Sequence, residues 1–558
     1  MNRWTLGALV VASVLNGRFA SAQEDPAAPG PHAFTISAYG SSTTLVKDVS
    51  SFDVNNETLA QVVYPTDVGN GPYPLVFFLH GRHFNCVTLF EASAWPCTGD
   101  AEPWPSHEGY VDAASVLARH GLIVVSISAH GLSSTSTPGT GYESLLQYHM
   151  SQWQALNTGA IALSNGQTFT GKVDLARIGL MGHSRGGEGV LDYAATSPAG
   201  LKAVMAIAPT SVASTTPINN VPVGIMLAYC DGDTEDLGGV GYVDSTRYNS
   251  AADNNPKYTI ISLGANHSNF NSAWTPGFGL DRVLGLNEDD WDSKMDPSDP
   301  HCGSGSAGRN TDAEQRGFRT AYLAAFLRRY LLGATQFDPL LKGEQIPSSA
   351  LTDDIYIGYL PGAEDRKDLN RQTSSADLST NALSGAVTFT GGLTKSVCTG
   401  SGCRPGVART THFGGASALR VSWSTSGQSF SNALPRSKGD VSNFSTLQFR
   451  VAVGVNGTAL PMDFSVQLVD GAGQSQKVRV RDYTEVLYDA PGASANRALV
   501  MNTVRVPIAA FGNVDTTNVS SVDVIFDQSA SGTLLIADLA FSDESMTIAE
   551  KWMAAVVF

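Results

Sequence analysis

Between residues 58 and 332, apolar positions form short, nearly continuous runs separated by segments with helical spacing. Runs of this kind are typical of parallel strands that are buried on both faces of a sheet. The intervening segments 110–120, 143–163 and 311–332 are predicted helices, and the last begins with a capping-box pattern. The pattern therefore predicts an α/β domain over 30–335, a mostly parallel sheet with helices on both faces. The predicted strands are 59–64, 75–79, 122–127, 177–181, 203–207, 223–227 and 258–262.

Beyond Gly333 the pattern changes. Proline, serine, aspartate and glycine punctuate 336–384, which we predict to be a connector. From there, short alternating runs are separated by turn residues, as in antiparallel sandwiches and jelly rolls. We expect an all-β domain over 385–545 and a tail over 546–558. Since the two patterns are separate, we also expect a chain ending near Gly333 to fold.

The first residues have the features of a targeting signal. Arg3 supplies a positive charge, residues 6–15 are apolar, and the small residues 20–22 fit a cleavage site. The apolar run is too short to span a bilayer comfortably. We therefore predict a signal peptide over 1–22 and an exported protein without a membrane span, secreted to the exterior or held in a periplasm.

Cysteine content agrees with export, because disulfides persist in oxidising compartments. The chain has six cysteines, and two pairs are close in sequence. Spacing alone does not decide the connectivity, since six cysteines allow fifteen pairings. The near pairs are Cys86 with Cys97 and Cys398 with Cys403, while Cys230 and Cys302 remain.

The net charge of the chain indicates which classes of binding partner are unfavourable. The chain has 51 acidic and 35 basic residues, for a formal net charge of −16. A balance of this sign argues against nucleic acid or an anionic membrane surface as the main partner.

The candidate chemistry centres on the sequence Gly182-His183-Ser184-Arg185-Gly186. It follows a predicted strand and precedes a predicted helix, which is the context of a nucleophile elbow. The glycines two residues before and after the serine allow a turn too tight for side chains. We predict that Ser184 is a nucleophile at the edge of the sheet.

A serine nucleophile needs a base, and on this type of sheet the base lies in a loop after a later strand. His267 follows the predicted strand 258–262 at the required place in the order. His301 and His183 are the alternatives, one in a distant acidic loop and the other beside the nucleophile. We predict that His267 is the base.

The acid that orients the base should lie in the loop after strand 223–227. This loop contains three candidates, Asp231, Asp233 and Asp236. Asp233 lies far enough beyond the strand to turn back beneath the imidazole, whereas Asp231 suits a turn cap. We therefore predict that Asp233 is the acid.

Acyl transfer also requires backbone donors for an oxyanion. One should be the N–H of Arg185, directly after the nucleophile, and the other the N–H of Arg82, in the turn at Gly81 after strand 75–79. The insertion 83–107 follows this turn and contains Trp95 and Trp104, which we predict, with His183, to contribute to substrate binding.

Nothing in the sequence requires a metal or an organic cofactor. The acidic segment 288–299 could bind calcium, but it lacks EF-hand spacing and is expected to be a solvated loop. The cysteines lack the C-x-x-C spacing of zinc sites. We predict a site without cofactors.

At these residues a resemblance can be named. Residues 58–332 resemble an α/β-hydrolase, the motif at 182–187 is similar to that of chlorophyllases, and the layout looks closer to secreted cutinase-like polyester hydrolases. The resemblance implies a carboxylic ester hydrolase that forms an acyl-enzyme. In cutinase-like enzymes a cysteine precedes the acid by three residues, as Cys230 precedes Asp233, but their His-Ser-Cys is replaced here by His-Ser-Asn at 267–269. The resemblance thus implies that Cys302 takes over the pairing with Cys230.

The C-terminal domain resembles the galactose-binding-like jelly rolls of carbohydrate-binding modules. That resemblance implies a polymeric or polysaccharide-linked ester as substrate, with Trp423, Tyr483 and Tyr488 either stacking on sugars or packing in the core. The alternative functions are a peptidase or acyltransferase on the same fold, and an inert carbohydrate-binding protein.

Overall fold

The computed structural model describes most of both predicted domains. It describes residues 24–43, 45–47, 55–87, 95–134, 141–210, 216–250, 252–352, 354–399, 403, 417–453, 462–484, 487, 491–493, 497–498 and 500–542. The predicted signal peptide, the predicted tail and Tyr488 lie outside these ranges.

A nine-stranded sheet forms the centre of the N-terminal domain, in the order β1-β4-β6-β5-β7-β8-β9-β10-β11. The six strands from β6 to β10 in this order are parallel, and antiparallel strands flank them. β2 and β3 form a separate pair. The α/β prediction is confirmed. The strands are β1 (Phe34–Tyr39), β2 (Leu45–Lys47), β3 (Asn55–Glu57), β4 (Ala60–Pro65), β5 (Tyr73–Leu79), β6 (Ile123–Ile127), β7 (Val173–His183), β8 (Leu201–Ile207), β9 (Val223–Ala228), β10 (Lys257–Ser262) and β11 (Ile355–Leu360).

Helices cover both faces of this sheet, as expected for parallel strands. On one face α3 and α4 bury Trp153 and Val190, and on the other α1 and α8 bury Leu117 and Phe326. α3 ends five residues earlier than predicted, because Gly159 takes a left-handed conformation there. The helices are α1 (Val111–Arg119), α2 (His130–Ser133), α3 (Tyr142–Thr158), α4 (Arg185–Ala195), α5 (Val240–Thr246), α6 (Asp281–Leu284), α7 (Asp290–Lys294), α8 (Asp312–Leu332) and α9 (Asp338–Leu341).

The predicted connector differs most from its prediction. Part of it forms β11, which pairs antiparallel with β10 and completes the large sheet. Ile357 and Tyr359 of this strand are buried against the helix α8 side of the domain. A chain ending near Gly333 would lack β11 and would leave one side of β10 without a partner strand. We therefore no longer expect such a chain to fold by itself.

The C-terminal domain is a sandwich of two antiparallel sheets, in the orders β14-β15-β22-β17-β20 and β13-β16-β21-β18-β19. β12 also pairs with β22, so the sandwich begins within the predicted connector. The predicted all-β architecture is confirmed. Its strands are β12 (Arg366–Asn370), β13 (Val387–Phe389), β14 (Thr394–Thr399), β15 (Ser417–Trp423), β16 (Gln428–Ala433), β17 (Thr446–Ala452), β18 (Ser465–Asp470), β19 (Ser475–Arg479), β20 (Asn502–Pro507), β21 (Val519–Phe526) and β22 (Gly532–Ser542).

Aromatic residues of the sandwich pack mainly inside it. Trp423 is buried and stacks on Phe526, with ring centroids 4.4 Å apart. It is therefore a core residue and is not available to stack on a sugar. Tyr483 is 38% exposed.

Three disulfides join the six cysteines. Cys86 pairs with Cys97, Cys398 with Cys403, and Cys230 with Cys302. The pairing of the near neighbours and the pairing implied by the resemblance are both confirmed. Such bonds are typical of proteins outside the reducing cytosol.

Among the described residues, no helix is both long enough and apolar enough to cross a bilayer.

Buried charges join the two domains. Asp538 of β22 accepts hydrogen bonds from Arg247 at 2.7 Å, from Arg450 at 2.6 Å and from the Tyr248 hydroxyl at 2.7 Å. Arg450 also pairs with Asp244 of α5 at 2.8 Å. Burial raises the pKa of Asp538, but the two arginines outweigh it and hold that pKa at about 2. The network crosses the interface, so the domains form one unit.

We expect Asp538→Asn to destabilise the whole chain, because it leaves buried arginines without their shared carboxylate. The cost at pH 7 should be about 3–5 kcal/mol, measured by urea unfolding. Since the folded pKa lies below the unfolded value, the carboxylate stabilises above pH 4 and its contribution disappears as the pH falls toward 2. The difference between variant and wild type should therefore shrink in acid. Asp440→Asn, at an exposed site, is the control and should change little.

Candidate active site

The turn between β7 and α4 holds Ser184 in an unusual backbone conformation, with φ 57° and ψ −124°. Non-glycine residues adopt such angles at a cost, and they do so where a nucleophile must be displayed. A Cβ on Gly182 would lie 2.1 Å from the carbonyl oxygen of Gly186, so the turn requires glycine there. The Ser184 N–H donates to Ile207 of β8 at 2.9 Å and anchors the turn to the sheet. The geometry is that of the predicted elbow.

The partner of the histidine is not the predicted one. His267 Nδ1 lies 2.8 Å from Oδ2 of Asp231, and both side chains are buried. Oδ1 of Asp231 also accepts the N–H groups of Asp233 and Thr234. One carboxylate therefore caps the turn and faces the imidazole, because the loop turns immediately after β9. The choice of Asp233 over Asp231 is corrected accordingly.

Asp233 lies instead on the open side of the imidazole. Its side chain is 43% exposed, forms an ion pair with Lys294, and has Oδ2 3.5 Å from Nε2 of His267. Nε2 is buried and makes no hydrogen bond within the described part of the chain. Asp233 is thus close to the nitrogen that would exchange a proton, and its negative charge acts on that nitrogen from the side opposite to Asp231.

Asp290 connects the acid and base loops. It is buried, and Oδ2 accepts the N–H of Gly232 at 2.9 Å and that of His267 at 3.0 Å. Oδ1 accepts the N–H of Ser268 at 2.9 Å. The acidic segment 288–299 was expected to be a solvated loop. Its residue Asp290 is instead buried and binds the backbone of both the acid loop and the base loop.

Three carboxylates surround the imidazole and change its proton affinity. Burial lowers the pKa of His267, but Asp231, Asp233 and Asp290 outweigh it and raise this pKa to about 9. The raised pKa favours the protonated form of the imidazole in the free site. A base of this kind becomes competent as the pH rises toward 9.

His183 supports the base and is not exposed to substrate. Its Nε2–H donates to the His267 carbonyl at 3.0 Å, and its Nδ1 accepts from the Tyr110 hydroxyl at 3.0 Å. Burial, with the nearby His267, keeps the pKa of His183 well below its usual value. The ring packs against Trp274 at a tilt of 30°, with centroids 4.7 Å apart. The prediction that His183 binds substrate is therefore wrong for this buried side chain.

The turn after β5 approaches the nucleophile closely. A Cβ on Gly81 would lie 2.5 Å from the Ser184 Cβ and 3.1 Å from its Oγ. The Gly81 carbonyl is held from behind by His80 Nδ1–H at 2.8 Å and the Ser133 hydroxyl at 3.1 Å. The N–H groups of Arg82, which follows Gly81, and of Arg185, which follows the serine, remain the predicted oxyanion donors.

His80 has a defined tautomer. Its Nε2 accepts the Ala129 N–H at 2.9 Å, so the proton is on Nδ1, which donates to Gly81. Burial, with the neighbouring His130, lowers the pKa of His80 to about 3, so it stays neutral. No local sequence pattern marks this residue, because Ala129 and the Gly81 carbonyl meet its ring only in the folded chain.

The two insertion tryptophans differ in position. Trp104 is 1% exposed and donates through Nε1 to the Ala273 carbonyl at 3.0 Å, so it is a structural support and not an accessible wall. Trp95 is partly exposed and packs against His130 at a tilt of 33°, with centroids 5.2 Å apart. Of the two, Trp95 remains a candidate for substrate contact.

Comparison with known proteins identifies the class of fold that carries this site. Residues 112–282 match the family model described as PETase: PET hydrolase-like, a range that contains Ser184, Asp231 and His267. The chain is also 26% identical over 234 residues to a bis(hydroxyethyl) terephthalate hydrolase of Streptomyces coelicolor. That alignment covers 41% of this chain and 63% of the relative. The fold and the match together show an α/β-hydrolase domain with a PETase-like segment, and confirm the resemblance to polyester hydrolases.

We expect Gly81→Ala to lower ester turnover by about 100-fold or more without unfolding the chain. The new methyl group must displace the serine or the oxyanion turn, and misplacement of about 1 Å costs about 100-fold in rate. Gly69→Ala is the matched control, because a Cβ there meets nothing within 4 Å. Both variants should be assayed on p-nitrophenyl butyrate with thermal melting beside it. Equal activity in the two would show that Gly81 does not shape the site.

Proposed function

We propose that this chain, with its PETase-like segment at 112–282, is a serine hydrolase that cleaves carboxylic esters of the polyester type. The observation that carries the proposal is the buried Asp231–His267 pair beside a strained serine elbow. A hydroxyl, an imidazole and a carboxylate in this order form the usual unit for activating a serine.

In the proposed reaction the Ser184 Oγ attacks the ester carbonyl carbon, and His267 Nε2 takes the hydroxyl proton. The carbonyl electron pair moves to oxygen, where the N–H groups of Arg82 and Arg185 stabilise the charge. The intermediate collapses to an acyl-enzyme as the imidazolium gives its proton to the departing alcohol. Water then repeats the sequence and releases the acid. Asp231 holds the ring and stabilises its charged form.

The proposed substrates are a small terephthalate ester and a polymer built from similar ester bonds. The relative from Streptomyces coelicolor is named for hydrolysis of bis(hydroxyethyl) terephthalate, and we propose esters of this kind for the present chain. A polymeric or polysaccharide-linked ester was predicted from the sandwich. Burial of Trp423 weakens the sugar-binding argument, so a synthetic or natural polyester is the favoured polymer.

The proposal includes export, which the three disulfides support because such bonds persist in oxidising compartments. The predicted leader at 1–22 would direct it. A peptidase or acyltransferase would use the same three side chains, so a substrate panel separates these activities from ester hydrolysis.

Ser184→Ala should lose turnover of p-nitrophenyl butyrate and bis(hydroxyethyl) terephthalate by at least about 10⁴-fold, because the attacking oxygen is removed. A fluorophosphonate probe should label the wild type at Ser184 and leave the variant unlabelled. The melting temperature should stay within a few degrees. Labelling of neither protein would favour the inert binding function, and retained turnover would contradict the assignment.

Asp231→Asn and Asp233→Asn should have different effects. Asp231→Asn should lower kcat by about 10³- to 10⁴-fold, because the ring loses the acceptor that sets its tautomer. Asp233→Asn should keep activity and move the acidic limb of kcat/KM to lower pH, since removing a carboxylate lowers the raised pKa of His267.

Asp236→Asn, in the same loop, serves as the control for both variants. Profiles of kcat/KM between pH 6 and 10 would decide the matter. A large loss of kcat in Asp233→Asn with normal Asp231→Asn activity would restore the original sequence prediction.

A further inference from the structure

Tyr229, which directly precedes Cys230 and Asp231 in the acid loop, contacts the C-terminal domain. Tyr229 is buried, and its hydroxyl donates to the Pro491 carbonyl at 2.9 Å and accepts the Ala498 N–H at 3.1 Å. Pro491 and Ala498 belong to the sandwich, between β19 and β20. A single phenol therefore binds two backbone groups of the other domain.

A second contact joins the same stretch to the other end of the disulfide. Oδ2 of Asp299 accepts the Ala493 N–H at 3.0 Å, and Oδ1 accepts the Cys302 N–H at 2.8 Å. Gly492 approaches this carboxylate so closely that a Cβ there would lie 3.1 Å from Oδ1. Cys302 is bonded to Cys230. The sandwich thus holds both cysteines of the bridge through neighbouring residues.

The acid loop is consequently held on two sides. On the inner side, the N–H groups of Tyr229 and Cys230 donate to Ser262 and Ala265 at 3.0 and 2.9 Å. On the outer side, Ala498 is buried in the core of the hydrolase domain. Asp231 leaves this doubly held segment directly toward the imidazole.

We propose that the sandwich is part of the catalytic unit, with Tyr229 as a positioning residue that fixes the Asp231 loop through its two interdomain hydrogen bonds. This inference rests on the proposed function, in which Asp231 orients the base. The C-terminal domain would then position the acid loop, in addition to any role in attaching the enzyme to a polymer. Catalysis then depends on the contact even for a small soluble ester, whereas attachment to a polymer would not affect such a substrate.

The test compares two variants of the full chain that each remove one interdomain hydroxyl. Tyr229→Phe deletes the phenol at the acid loop. Thr503→Val deletes the hydroxyl that accepts the Tyr359 N–H at 2.9 Å. Tyr359 pairs with Tyr258 near the start of β10, at the end opposite to the His267 loop. Both variants should show similar melting temperatures, since each loses hydrogen bonds between a side-chain hydroxyl and the backbone of the other domain.

We expect Tyr229→Phe to lower kcat on p-nitrophenyl butyrate about tenfold with KM within twofold, from loss of hydrogen bonds that hold the loop. A looser Asp231 raises the proton affinity of the imidazole less, so the acidic limb of kcat/KM should move to lower pH. Thr503→Val should keep the wild-type kcat and profile. A purely structural role for Tyr229 would change melting alone.

The outcomes separate the two proposals. If fluorophosphonate labels wild type and Tyr229→Phe at equal rates from pH 6 to 10, with equal kcat, the inference fails while the proposed function stands. If it labels neither, the proposed function fails. Should Tyr229→Phe not fold, Asp299→Asn weakens the second contact and is expected to shift the profile in the same direction. An unshifted profile there would overturn the inference.

Discussion

The Asp290 carboxylate, enclosed between the loops after β9 and β10, is the contact on which the site depends. It accepts three backbone N–H groups, one from the acid loop and two from the base loop. A buried carboxylate is tolerated when its lone pairs are satisfied in this way. Because the same group binds both loops, it holds them together at the point where Asp231 meets His267.

That arrangement concentrates negative charge around one ring. Asp231 and Asp290 are buried, Asp233 is partly exposed, and the sum raises the pKa of His267 despite the cost of burial. Lys294 pairs with Asp233 and belongs to α7, the helix that Asp290 begins. The helix therefore supplies both the carboxylate that binds the two loops and the cation that pairs with Asp233. The sandwich adds its own contact at Tyr229, so the site is assembled from three regions distant in sequence.

Much of the fold and the serine elbow could be predicted because their signals are local. Buried parallel strands appear as apolar runs, and the elbow requires Gly182 and Gly186 within a few residues of Ser184. His267 could be found because chain order and strand ends restrict where a base can lie. The pairs Cys86–Cys97 and Cys398–Cys403 could be proposed because their members are close in sequence. The sequence by itself thus determined the architecture of both domains, and it identified Ser184 and His267 as the candidate nucleophile and base.

Tertiary structure alone decided which carboxylate faces the candidate base. Asp231 and Asp233 are two residues apart, and their difference lies in the direction each side chain takes after the turn. The burial of Asp290 and the task of Tyr229 depend on partners far along the chain, so no local pattern marks them. β11 was missed because an edge strand with a glycine and a following proline resembles a connector until β10 pairs with it. Directions and long-range partners are set by packing, which a local pattern does not contain.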